Sequence, residues 1–267
     1  MVRPLSLAQH TLYADLFEQA SEDLFDPEWP ENGSILVRPN RPGAPSDHAY
    51  YQGYRPAAGD ADRSQRFARY LGRADDPAVA ARIARFQRVK AVRAERAITV
   101  RALIGAGMPR PDRIAGRIIE ALARAGLFPD HAVLIGEAAY QTYDGVLGVR
   151  LAKLRNAVGR DRPTVEIVVR DSRRSADILA ALHAVDPSFA AEATTSGSCR
   201  SAAGVQVAVT SLDRSEGETV NLFGYLIADP VRAVVLHGPG IPVAVPAPER
   251  YAVHTYQATS GTDPFAS

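Results

Sequence analysis

Apolar residues recur at helical spacing at Leu5, Leu12, Leu16, Phe17 and Leu24, which predicts an amphipathic helix over residues 5–24. The turn-forming cluster DPEWPENG follows and ends it. Two short alternating runs, SILVR (34–38) and HAYYQGY (48–54), flank the Pro/Gly-rich PNRPGAPSD and predict a small β-hairpin with a loose tip. RPAAGDADRSQ reads as polar loop, and RFARYLG after it is able to pair with the hairpin. From Asp75 the period lengthens to that of a helix. Asp75 or Asp76 serves as N-cap, Pro77 sits in the first turn, and Gly105 stands at the far end. A second helix over residues 110–128 follows the turn GMPRP.

The remainder alternates strands and helices. HAVLIG (131–136), TVEIVV (164–169) and GVQVAVTS (204–211) read as strands. EAAYQTYDGVLG is helical, SRRSADILAALHAV (172–185) is a helix with Ser172 as a possible cap, and residues 231–248 form a hairpin around GPG. A last helix starts at Pro248. This alternation argues α/β or α+β for residues 127–258. The chain divides into an N-terminal helix with a small β element (1–74), a helical pair (75–128), an αβ domain (129–258) and a tail (259–267).

Net charge is +1, so whole-protein charge points to no class of partner. Cys199 is alone, which excludes an internal disulfide and a cysteine metal cluster and fits a reducing cytoplasm. No apolar run approaches the ~20 residues that cross a membrane. The N-terminal stretch spaces its apolar residues as a helix face, carries Asp15 and Glu18, shows no small-residue cleavage site, and is read as a helix rather than a signal peptide. Charge is uneven locally. Eleven basic residues lie from Arg82 to Arg124, opposed only by Glu95, Asp112 and Glu120. Such a helix pair suits nucleic acid or an acidic protein partner; the plain alternative is a solvated face whose arginines pair with acids elsewhere.

Generic catalytic motifs are missing. There is no GxxxxGKS/T phosphate loop and no GxGxxG after a strand. SGSCRSAAG is not GxSxG, and the six histidines are scattered without HExxH spacing. Asp60 and Asp62 form a DxD, but in a polar loop rather than on a strand that would hold both carboxylates on one side. Tyr140 and Tyr143, three apart, read as core packing.

Two stretches, LIGEAAYQTYDGVLGVRL and YLIADPVRAVVLHGPGIPVAVPAPERYAVH, resemble a family of bacterial proteins with a nucleotidyltransferase fold, within the DNA polymerase β-like superfamily. Weaker similarity runs upstream through PRPDRIAGRIIEALARAGLF. The resemblance implies an α+β fold, a mixed sheet with flanking helices preceded by the N-terminal helix, hairpin and helical pair. It implies an NTP and Mg²⁺ as cofactors, and transfer of a nucleoside monophosphate to a hydroxyl acceptor. In that superfamily a glycine ends the first strand and lets backbone N–H groups approach the triphosphate. Two acids at i, i+2 on the next strand and a third on a neighbouring strand hold two Mg²⁺ ions.

Gly136 matches the loop glycine, but Glu137 stands where a small residue is expected. Glu166 matches the first acid; its i+2 partner is Val168, and Ala208 occupies the third position. Thr255 replaces a lysine that would meet phosphate. Asp161, Asp171 and Asp213 are not placed by strand geometry to substitute. The implied site is therefore Glu166 as catalytic and metal-binding residue, with Gly136, Glu137, Arg150 and Arg170 toward phosphate. The plain alternatives are a tight turn for Gly136 and an ion pair with Arg150 or Arg162 for Glu166. Two readings follow: a nucleotidyltransferase with weakened or lost activity, or a non-catalytic regulatory or binding protein that works through the arginine-rich helices.

Overall fold

A computed structural model describes residues 3–19, 24, 33–39, 41, 46–55, 65–128, 130–152, 164–192, 197–214 and 218–260. The chain forms two compact units. Ser21–Glu95 is one; Met1–Ala20 with Arg96–Ser267 is the other.

In the first, β2 (Ser34–Pro39), β3 (Asp47–Arg55) and β4 (Gln65–Arg73) pair antiparallel in chain order. The third run joins the hairpin, as its alternation allows. Ala49 and Tyr51 of β3 and Leu71 of β4 point to one side, where they form a core with Val79 and Phe86. Those two come from α2 (Pro77–Gly105). A register shift between Ala49 and Tyr50 comes level with Gly72, whose φ is +138°. A Cβ there would lie 2.5 Å from a Val79 methyl carbon, so the bulge lets helix and sheet close on each other. Of the two acids offered as the cap of α2, Asp76 takes the role, accepting from the Ala78 amide at 2.9 Å. Asp75 pairs instead with Arg73 at 2.6 Å.

In the second unit β1 (Arg3–Pro4) leads into α1 (Leu7–Glu18). Ser6 and Gln9 form a reciprocal capping box at its start. The helix stops at Glu18, short of the expected residue 24. The Leu16 carbonyl, one of the last-turn acceptors a helix leaves open, accepts from Arg96 at 2.9 Å. Tyr13 and Leu16 pack with Val100, Leu103, Met108, Val234 and Leu236. After α3 (Arg113–Arg124), capped by Asp112, comes β5 (Ala132–Ile135), all four residues buried. The expected single helix after it is broken into α4 (Gly136–Tyr140) and α5 (Tyr143–Leu147), because the Thr142 hydroxyl bonds back to the Ala139 carbonyl at 2.7 Å. β6 (Val149–Arg150) pairs with β1.

The main sheet is mixed. β7 (Thr164–Val169) lies between β5 and β10 (Gln206–Ser211), antiparallel to the first and parallel to the second. The order continues through β9 (Cys199–Arg200) to β8 (Ala190–Ala191) at the far edge. Where one helix over 172–185 was expected, a 3₁₀ turn (Ser172–Arg174) precedes α6 (Ser175–His183). Asp171, not Ser172, caps that turn; the Ser172 amide and hydroxyl donate to Asp213. α7 (Glu218–Leu226), the hairpin of β11 (Val231–Val235) and β12 (Ile241–Val245), and α8 (Pro248–Ser260) complete the unit. The architecture is α+β, and no helix among the described residues is long and apolar enough to cross a membrane.

Candidate functional site

β5 delivers the chain to Gly136, which turns it with φ +67°, a conformation glycine adopts without the Cβ penalty. Ile135, the residue before, is the register partner of Glu166. The two expected site residues therefore meet. A Cβ at position 136 would stand 3.0 Å from Glu166 Cδ and 3.1 and 3.2 Å from its oxygens. The open space beside the glycine is occupied by the protein's own carboxylate.

On β7 the odd residues Val165, Ile167 and Val169 are fully buried on one face. Glu166 and Val168 share the other face, as alternation along a strand requires. Val168 is also 0% exposed, packed with Val133, Ile135, Leu226, Ile227 and Ala244. On the neighbouring strand Ala208 is the direct partner of Glu166.

α8 closes the site. Tyr251 donates its hydroxyl to the Gly136 carbonyl at 3.0 Å. Burial pushes its pKa up to about 12, and the negative charges of Glu166 and Glu137 add to the shift. Its ring lies 6.0 Å from Tyr140 and 5.4 Å from Tyr143. One turn on, His254 sits on the same helix face. Its Nε2 is buried with no hydrogen-bond partner among the described residues, and its ring is 5.5 Å from Phe223. Burial draws its pKa below the usual 6.5, against an opposing pull from Glu166. Tyr251 and His254 lie in PERYAVH, at the end of the second stretch that carries the family resemblance, and their i, i+3 spacing there is the signal that could have singled them out. Tyr143 is buried and donates to the Pro246 carbonyl at 2.8 Å, in keeping with core packing.

The remaining expected contacts stand elsewhere. Glu137 accepts from the Gln141 amide at 3.2 Å. Arg150 donates to the carbonyls of Ala106, at 2.5 Å, and Gly107 just past the end of α2. Arg170 donates to the Ile227 carbonyl at 3.2 Å. Asp171 pairs with Arg173 at 2.6 Å. Asp60, Asp62, Asp161 and Arg162 lie outside the described residues. The Thr255 hydroxyl bonds back to the Tyr251 carbonyl at 2.9 Å.

The arginine-rich helices put much of their charge on backbone carbonyls. Lys90 donates to Gly33 at 3.1 Å and Arg93 to Leu24 at 2.7 Å. Arg96 is 1% exposed and donates to Leu16, Pro239 and Gly240. Arg124 pairs with Glu120 at 3.0 Å. Arg88, Arg101, Arg110 and Arg113 are exposed.

The family model described as nucleotidyltransferase matches residues 113–263, more than half the chain. The chain belongs to the nucleotidyltransferase family. No curated protein and no solved structure gives a significant match. The matched region of this nucleotidyltransferase-family chain begins at α3 and includes every strand of the mixed sheet together with Gly136, Glu166, Tyr251 and His254. The three-stranded sheet of the other unit and α2 lie outside the match.

Proposed function

We propose that this nucleotidyltransferase-family protein keeps the fold and has lost the two-metal transfer of a nucleoside monophosphate from an NTP. The carrying observation is Val168, fully buried where the second acid belongs, with Ala208 opposite Glu166 in the third place. A two-Mg²⁺ clamp needs several carboxylate oxygens converging on one point. Of the three strand positions only Glu166 offers one, and the donor set does not fit the metals. Among the described residues no group of three or more His, Cys, Asp or Glu is placed to hold a metal ion. Glu166 lies beside the turn where a triphosphate would approach, so it repels the phosphates it would otherwise help to bind. The protein then acts by binding, and the lone buried Cys199 fits a cytoplasmic setting.

The test is calorimetric titration with each NTP, with and without Mg²⁺ or Mn²⁺, on the native chain and Glu166→Ala, followed by a labelled-NTP transfer assay. The expected result is no metal-dependent heat and no transfer. Heat that requires metal and vanishes in Glu166→Ala would overturn the proposal and restore Glu166, Gly136 and Glu137 as a working nucleotide site.

A further inference from the structure

The three-stranded sheet of the Ser21–Glu95 unit has two faces of opposite character. One packs on α2 through Ala49, Tyr51, Leu71, Val79 and Phe86. Register places Arg38, His48, Tyr50, Gln52, Arg66 and Tyr70 on the other. On this second face Tyr70 is 55% exposed. Its ring stands 5.4 Å from that of Tyr50 and 5.6 Å from that of His48, and its hydroxyl is 2.8 Å from His48 Nδ1. The Arg38 guanidinium lies 5.0 Å from the centre of the Tyr50 ring. Arg66 donates to the Gln52 side chain. Register puts Arg38 and Arg66 on this face, and none of the strand positions that share it is an acid. Asp75, following β4, is paired with Arg73.

We infer that this face binds single-stranded RNA. Adjacent aromatic rings offer stacking platforms, and every base has a π-face to lay on them. Arginines beside the rings supply the phosphate attraction and a cation–π contribution. Tyr50 lies midway between His48 and Gln52 on β3, which at about 3.4 Å per residue span roughly 13 Å, room for two splayed bases. A duplex buries its bases and cannot stack on the rings. Leu36, half-buried, is the only aliphatic residue larger than alanine at the strand positions in register with the rings, so the face offers rings and cations rather than an apolar pocket. Tyr hydroxyls, the His48 ring nitrogen and the Gln52 amide beside the rings suit a 2′-hydroxyl, which both donates and accepts, and this commits the face to RNA over DNA. The inference rests on the Ser21–Glu95 unit alone and is independent of the fate of the nucleotide site.

The experiment is fluorescence anisotropy of the full chain with an unstructured labelled RNA of about twelve nucleotides, alongside the same sequence as DNA and as duplex RNA. The RNA is expected to bind more tightly than either comparator. Tyr70→Ala is expected to weaken it about tenfold or more, while Tyr70→Phe keeps most of the affinity. Arg38→Gln is expected to flatten the log–log salt dependence by about 0.7. Tyr70 is exposed, so an unchanged melting temperature serves as the control for folding. Absence of RNA binding, or RNA binding indifferent to Tyr70→Ala, overturns the inference. So does DNA binding as tight as RNA, or loss of binding in Arg88→Gln with Tyr70→Ala unaffected, which would move the contact to the exposed side of α2.

Discussion

Replacing Val168 with Asp restores the i, i+2 pair of acids on β7 and is expected to cost stability rather than return activity. The valine side chain is fully buried among Val133, Ile135, Leu226, Ile227 and Ala244. Losing its burial costs about 1.5–3 kcal/mol. The carboxyl must also enter an apolar site, which disfavours its charged form and raises its pKa by up to several units. A carboxyl whose folded pKa lies above its unfolded value binds more protons in the folded state. The variant therefore loses stability as pH rises above about 4, at 1.36 kcal/mol per unit until the folded pKa is reached. If that pKa exceeds 7, the charge adds about 4 kcal/mol of destabilisation between pH 4 and 7. Urea unfolding of Val168→Asp and the near-isosteric Val168→Asn across this range separates the two contributions: both lose packing, and only Asp gains the pH slope. A Val168→Asp variant within about 1 kcal/mol of the parent at pH 7, with a flat pH profile, would refute the reasoning. It would mean that this face of β7 opens to water and that the second acid is a single substitution away.

Three further outcomes are expected. Gly136→Ala places a side chain at φ +67° and against the Glu166 carboxylate, and is expected to cost about 2–3 kcal/mol in chemical denaturation. Combining it with Glu166→Ala should return part of that loss in a double-mutant cycle. Arg96→Met leaves the carbonyls of Leu16, Pro239 and Gly240 without their donor and is expected to cost about 3 kcal/mol or more in urea unfolding; Arg96→Lys fails to rescue it, because an ammonium lacks the planar fork. His254, with a pKa lowered by burial, binds fewer protons folded than unfolded, so it contributes stability at neutral pH that is lost as pH falls below about 6.5. His254→Phe should flatten the profile there, and NMR titration of the ring should read a midpoint under the free value.

The family resemblance singled out Gly136 and Glu166, a glycine ending an apolar strand and an acid within one, and both features were local enough to be seen in the sequence. Their meeting was not, since it depends on the Ile135–Glu166 register between strands separated in sequence. Arg150 and Arg170 show the opposite limit. An arginine near a phosphate loop has the same sequence signature whether it meets an anion or, as here, the carbonyls of Ala106, Gly107 and Ile227. The run from Arg82 to Arg124 overstated free charge for the same reason, with Lys90, Arg93 and Arg96 bound to backbone acceptors. α7 escaped notice because its ETVNLFGYL carries Gly224 and three residues of low helix propensity, Thr219, Val220 and Asn221, and is held by packing of Leu226 rather than by propensity. The outward tyrosines of the small sheet were visible as alternation. Which side of the alternation faced α2 required the fold.

The Arg96 clasp also sets an order of assembly. Its guanidinium joins a carbonyl 80 residues upstream to two carbonyls 143 and 144 residues downstream. During synthesis α1 and α2 leave the ribosome long before Pro239 and Gly240 exist to receive that charge. Until they do, closing Tyr13, Leu16, Val100 and Leu103 over Arg96 would bury a guanidinium with two of its three carbonyl acceptors missing, at a cost of several kcal/mol. The unit of Met1–Ala20 and Arg96–Ser267 can complete this core only after β11 and the turn that follows it have been made, so a ribosome that stops short of residue 240 releases a chain whose N-terminal helix lacks Val234, Leu236 and two of the carbonyls that receive Arg96.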